Sequence, residues 1–254
     1  MSEPTWRAVE QIMGLPVSIA LRGRHAGSAA GNAAWAAVVA DLRTVDRAFS
    51  TYRTDSWISR HNAGELLDPP PEAAEVLALA EAARRESDGA FDVRRTGRGP
   101  VGSLDLDGVV KGWAVQRAAA RLRDLDDTDS CLSGGGDLVC WTAEPDGAPW
   151  RIGIEDPLDP RGVIARLPVS RGAVATSGRV HRGDHIVDAR TGRPPVGGPV
   201  SVTVVGAELA QVDIDATVAF AQGGRAVAWL RARPDHAGLV VWGDGRVETW
   251  RSAA

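Results

Sequence analysis

"SCLSGGGDLVCWTAEPDGAPWRIGIEDPLDPRGVIARLPVSRGAVATSG", residues 130–178, sets one short β-type run after another, with turn residues between them and no helical period. A doubly wound parallel sheet needs a crossover, usually a helix, between successive strands. This stretch has none, so it points to a largely antiparallel sheet. "DHIVDA" (184–189) and "PVSVTVVG" (199–206) read as further β segments. Downstream, "AELAQVDIDATVAFAQG" (207–223) and "GGRAVAWLRARP" (223–234) are helical, and "AGLVVWGDGRVETWR" (237–251) is a hairpin turning at Asp244–Gly245.

Upstream, residues 5–23 read as two extended segments meeting at a Gly14–Pro16 turn. Residues 31–50 carry apolar side chains at 35, 38, 39, 42, 45 and 49, a helical period. The prolines of 69–71 and Gly89 bracket a second helix, and a third starts near Val109. Strands and helices do not alternate one for one, so the fold class is α+β, with helices packed on the sheet. No low-complexity linker or internal repeat interrupts the chain, which reads as one domain over residues 1–254.

With 44% hydrophobic and 24% charged residues, the composition is that of a globular protein. A net charge of −4 argues against nucleic acid or an anionic membrane as partner. No apolar run is long enough to span a bilayer. "MSEPTWRAVEQIMG" (1–14) has neither a basic-then-apolar leader nor a lipid-attachment cysteine, from which a cytoplasmic location is expected. Cys131 and Cys140 are too few for a disulfide framework and read as small strand residues.

The 29 basic residues include one lysine, Lys111. An ammonium is a compact point charge where a guanidinium is a broad fork, so this position fits either a cramped phosphate or carbonyl site or a solvated helix end. The three glycines before Asp137 would weaken a buried strand and point to a close backbone approach, with N–H groups able to cradle phosphate. On a helix, Asp213 and Thr217 share a face while Asp215 points away. That pair, completed by a backbone carbonyl and phosphate oxygens, suits Mg²⁺; a helix cap with a packed threonine is the other reading. Tyr52, the one tyrosine, is either core or a platform for a flat ring, and His185 in a β-type run is either structural or functional.

In order along the chain stand "MG" (13–14), "FSTYRTDSWISRHN" (49–62), "GAFD" (89–92), "DLDGVVKGWAV" (105–115), "GGGD" (134–137), "GIEDP" (153–157), "ATSG" (175–178), "HIVDARTG" (185–192) and "DIDAT" (213–217). In this order and spacing the chain resembles the ApbE family of FAD:protein FMN transferases. The resemblance implies a T-fold-like architecture that binds FAD as substrate with Mg²⁺ and cleaves the pyrophosphate. FMN is then joined through a phosphoester to a threonine of an acceptor protein, and AMP is released. Carried over by position, Met13 and Tyr52 flank the flavin, and Ala90, Phe91 and Asp92 line the FAD cleft. Asp105, Lys111 and His185 contact FAD, and Asp213, Thr217 and the Gly108 carbonyl match the metal ligands; Asp213 and His185 are the catalytic candidates. The chain departs from the family pattern at Val93 and Ala189, where proline is usual, and at Gln116, where an acidic residue is common. The alternatives are a Mg²⁺-dependent pyrophosphatase that cleaves FAD to FMN and AMP with water, and a non-catalytic FAD-binding protein.

Overall fold

The structure, a computed structural model, describes residues 4–94, 103–181 and 183–252. Strands β1 (Trp6–Ile12) and β2 (Leu15–Gly23) pair antiparallel through a two-residue turn, Met13–Gly14, in which both residues have left-handed backbone (φ 58° and 69°). The turn therefore precedes the expected Gly14–Pro16 position. Pro16 lies inside β2, opposite Gln11 and one residue before β2 begins to pair with its other neighbour, where a missing N–H costs the sheet little. In β2, Val17, Ile19 and Leu21 are buried in alternation with less buried neighbours, which turns one strand face to the core.

The sheet continues with β3 (Thr128–Gly134) and β4 (Asp137–Trp141). Strands β5 (Trp150–Asp156) and β6 (Asp159–Val169) leave it to form a hairpin of their own. The sheet resumes with β7 (Gly172–Gly178), β8 (Pro199–Gly206), β9 (Ala237–Trp242) and β10 (Val247–Arg251). Its order is β1-β2-β3-β4-β7-β8-β9-β10, every neighbouring pair antiparallel. The β5–β6 hairpin covers one face, where Trp150, Ile154 and Val169 pack on Leu138, Cys140, Val174 and Val241.

The opposite face carries the helices: α1 (Ala29–Phe49), α2 (Trp57–Asn62), α3 (Ala73–Glu86), α4 (Asp107–Ala119), α5 (Leu209–Ala221) and α6 (Ala226–Arg231). Ser28 Oγ accepts the Gly31 N–H and so fixes the start of α1, whose Val38, Val39, Leu42, Val45 and Phe49 point inward at helical spacing. Helix α5 is apolar nearly all round because it runs through the middle of the core, against β7, β8 and α4. Gln116 of α4 supplies its cap: Gln116 Oε1 accepts the Ala210 N–H at 2.9 Å, while its amide nitrogen meets Glu208. A carboxylate at 116 could accept the Ala210 N–H but would lose the donor to Glu208, so glutamine suits this chain, where Glu208 stands alongside.

Two local readings change. Residues 184–189 form no strand, only an isolated bridge between Asp188 and Arg193. Asp188 Oδ1 accepts the Arg190 backbone N–H at 3.0 Å and also binds the Arg190 guanidinium, a local turn that competes with strand pairing. The short helix α2 is additional; Ser56 caps it and also donates to the Ser50 carbonyl at 2.7 Å. Among the described residues, no helix is long and apolar enough to cross a membrane.

Candidate active site

The β1–β2 turn, the Gly135–Gly136 turn of β3–β4, the end of β7 and the start of α4 meet at one end of the sheet, around a cleft of about 1220 Å³. That exceeds the usual volume of a site for a drug-sized ligand, roughly 300–1,000 Å³.

Lys111 lies at its inner wall. It projects from α4 between two carboxylates, ion-paired with Asp137 and 3.2 Å from Asp213 Oδ1. Both aspartates are 2% exposed. Asp137 is held from behind by the Thr176 N–H at 2.8 Å, and Asp213 by the Gly112 N–H at 3.0 Å. Burial disfavours the charge on Lys111, but Asp213 and Asp137 outweigh it and hold the ammonium above the usual lysine range. Burial likewise pushes the Asp213 carboxyl up to about 7, against the pull of Lys111 and with Asp137 adding to the rise. With all three groups ionised, the cluster has a net charge of −1.

Helices α4 and α5 touch closely here because residue 112 is glycine. A Cβ at that position would stand 2.7 Å from Asp213 Cβ and 3.0 Å from the Leu209 carbonyl. The contact also concerns Gly108. An amide has one hydrogen, so the Gly112 N–H that donates to Asp213 has at most a shared bond left for the Gly108 carbonyl, its partner four residues back in a regular helix. Gly108 faces α5 as well, since a Cβ there would lie 3.8 Å from Thr217 Cγ2 and 2.9 Å from Phe91. Thr217 Oγ1 is 3.0 Å from Ser177 Oγ. The Gly108 carbonyl, the Thr217 hydroxyl and the Asp213 carboxylate are hard oxygen donors of the kind Mg²⁺ takes alongside phosphate. Among the described residues, no group of three His, Cys, Asp or Glu side chains could hold a metal, so a cation here depends on that mixed set.

Met13, Tyr52, Phe91, Asp92, Asp105, Gly108, Lys111, His185, Asp213 and Thr217 all line the cleft. Ala90 does not: it is fully buried, and its carbonyl accepts the Ala189 N–H at 3.0 Å, tying the 89–92 loop to the 185–192 loop. Tyr52 is 81% exposed, on a loop that Ser56 organises and that Asn62 anchors by bonding both the N–H and the C=O of Leu104. His185 is exposed; its Nδ1 lies 3.0 Å from the Gly183 carbonyl, which can only accept, so Nδ1 is the donor and, in the neutral ring, Nε2 is the acceptor. Asp215 turns away and is buried with His236 Nδ1 at 3.0 Å and Gln211 at 2.8 Å. The structure adds Asp137, Gly112 and Ser177 to the site. Asp137 and Ser177 stand in the "GGGD" and "ATSG" motifs, whereas the role of Gly112 depends on an approach between two distant helices that no local pattern encodes.

The profile of the ApbE family matches residues 13–98 and 94–240, most of the chain. The chain belongs to the ApbE family. The FAD:protein FMN transferase of Vibrio cholerae is 29% identical over 245 residues, covering 74% of this chain and 73% of the relative. That of Rhodobacter capsulatus is 32% identical over 164 residues, but those cover 59% of this chain and 31% of the longer relative. Among solved structures, the flavin transferase ApbE from Vibrio cholerae aligns with a TM-score of 0.80 at 24% identity, over 99% of this chain and 98% of that one. The ApbE protein of Thermotoga maritima aligns with a TM-score of 0.82 at 22% identity, covering 97% of each. At these identities the structures establish a shared ApbE fold, and the family profile establishes membership.

Proposed function

We propose that this ApbE chain, as one domain over residues 1–254, is an FAD:protein FMN transferase that uses Mg²⁺ and moves FMN from FAD to a threonine hydroxyl of an acceptor protein. The observation that carries the reading is the Lys111–Asp137–Asp213 cluster, buried at the wall of a dinucleotide-sized cleft beside Thr217 and Gly108. A lone ammonium neutralised by two carboxylates binds no anion by itself, but the same corner with a divalent cation becomes a pyrophosphate site.

In this reading Asp213, Thr217 and the Gly108 carbonyl would hold the cation, and Asp137 keeps Lys111 in place. A cation held there would supply positive charge to the phosphate oxygens. Tyr52 and Met13 receive the isoalloxazine ring, for which an exposed aromatic ring on an anchored loop is a suitable platform. The glycine turn at 135–136 lets the backbone approach the phosphates. The threonine oxygen forms a bond to the FMN phosphorus, the bond from that phosphorus to the bridging oxygen breaks, and AMP leaves with that oxygen. The acceptor proton passes to a base in the cleft; Asp213 and His185 Nε2 are the groups suited to take it.

The test is AMP release from FAD, followed by chromatography with Mg²⁺ and an acceptor present. Wild-type protein should release AMP in step with acceptor modification, and Asp213→Ala should release none. AMP formed at the same rate without acceptor would make the protein a pyrophosphatase instead.

A further inference from the structure

Cys131 and Cys140 are more than two small strand residues: they stand directly opposite one another on β3 and β4. The hairpin closes through the two-residue turn Gly135–Gly136, which makes Gly134–Asp137 its hydrogen-bonded closing pair. Hydrogen-bonded and non-hydrogen-bonded pairs alternate from there, so Leu132–Val139 is hydrogen-bonded and Cys131–Cys140 is not. In a non-hydrogen-bonded pair the α-carbons are about 4.5 Å apart and the side chains lie close. A disulfide accepts α-carbon separations from about 4.4 Å upward. The two sulfurs are 3.7 Å apart and both thiols are free, so rotation of the side chains can join them without moving a strand.

The two thiols differ in access. Cys140 is 1% exposed beneath the β5–β6 hairpin, whereas Cys131 is half-buried at the edge of the same cluster. The Cys140 S–H donates to the Cys131 sulfur and holds the Cys131 thiol below its ordinary range against burial, with the Arg22 and Arg7 charges adding to the effect. Cys131 is therefore the sulfur that meets a reagent, and Cys140 the one placed to resolve it.

We propose that Cys131 and Cys140 form a reversible oxidation site, closed to a cross-strand disulfide by a low-molecular-weight disulfide. The Cys131 thiolate attacks one sulfur of that reagent and expels the other half as a thiol. The Cys140 sulfur gives up its proton and displaces the remaining half from Cys131 as a second thiol. The protein loses two protons and two electrons, and the reagent takes up both as it becomes two thiols. The cross-link ties the strands at the base of the hairpin whose far end presents Asp137 to Lys111. The cysteine chemistry is independent of the reaction performed in the cleft, so its test is separate from that of the transferase.

No Lys or Arg stands between Arg123 and Arg151, so trypsin leaves both cysteines on the peptide 124–151. The full chain is treated under native conditions with hydroxyethyl disulfide, quenched in acid, denatured, alkylated, digested without reductant and weighed. The expected peptide is two hydrogens lighter than the reduced form and carries no alkyl group; dithiothreitol before alkylation restores two alkyl groups. Cys140→Ser should stop at a mixed disulfide on Cys131, and Cys131→Ser should leave Cys140 unmodified and alkylatable. A wild-type peptide that keeps two alkyl groups after treatment, stops at a mixed disulfide, or is linked to a second chain overturns the proposal.

Discussion

Replacing Gly112 by alanine sets two physical effects against each other, and their sizes decide the outcome. Alanine is the better helix former by about 0.5–1 kcal/mol, so propensity alone predicts that Gly112→Ala strengthens α4. Packing predicts the opposite. The new Cβ would stand 2.7 Å from Asp213 Cβ, 2.8 Å from Asp213 Oδ2 and 3.0 Å from the Leu209 carbonyl oxygen. Carbon atoms pack at about 3.5–4.0 Å, so α5 must withdraw by roughly 1 Å. The Gly112 N–H to Asp213 bond, now 3.0 Å, then lengthens past hydrogen-bonding range. Overpacking costs about 1–3 kcal/mol and a lost bond to a carboxylate about 1.5–3; less the propensity gain, the net is a destabilisation of roughly 2–5 kcal/mol. Urea unfolding followed by tryptophan fluorescence measures it, and metal-dependent turnover should fall with it because Asp213 is displaced. Gly224→Ala is the control, since its Cβ would meet nothing within 4 Å. An unfolding midpoint for Gly112→Ala at or above wild type, with turnover intact, would refute the argument that glycine sets the helix approach.

Tyr52→Ala should lose about 1–3 kcal/mol of FAD affinity by calorimetry, by analogy with base–aromatic stacking, while its exposed position keeps stability within about 0.5 kcal/mol; unchanged affinity removes Tyr52 from the flavin site. Asp213→Ala should abolish Mg²⁺-dependent turnover. Asp215→Ala should instead destabilise by about 1–3 kcal/mol, because it leaves His236 Nδ1 and the Gln211 amide without their acceptor and Arg233 with Glu86 alone, yet keep turnover per folded molecule; the reverse ranking contradicts the site. Lys111→Arg keeps the charge but needs room for a guanidinium between two carboxylates, so FAD affinity and transfer rate should both drop. Wild-type values for both would leave the lysine without a role. Asp213, held up at about 7 by burial, contributes stability that is present below its unfolded pKa and lost as pH rises through its folded one. The stability of Asp213→Asn relative to wild type should therefore climb between about pH 4 and pH 7 in denaturant titrations, and a flat difference contradicts the assigned shift.

The antiparallel sheet was legible because alternation and turn chemistry are local: β3, β4, β7 and β8 sit where their apolar runs place them. Residues 184–189 misled because His185 to Ala189 carry strand-like residues, while the competing Asp188–Arg190 turn is a side-chain effect that a hydrophobic pattern does not register. Pro16 misled for the complementary reason, since its tolerance inside β2 depends on which neighbour the strand has at that point. At the site, the helix phase of α5 was readable from a 3.6-residue period, and the structure turns Asp213 to the cleft and Asp215 away from it. The solitude of Lys111 marked the position but not its partners. That Asp137 reaches it from a different hairpin, and that Gly112 admits Asp213, are long-range facts of how α4, α5 and the sheet dock.

The most direct test of the central claim is the intact mass of a threonine-bearing acceptor protein after incubation with this chain, FAD and Mg²⁺. The acceptor should be heavier by one FMN less one water, located on threonine, with one AMP released per acceptor modified and no product from Asp213→Ala. An acceptor of unchanged mass beside free FMN and AMP would contradict that claim.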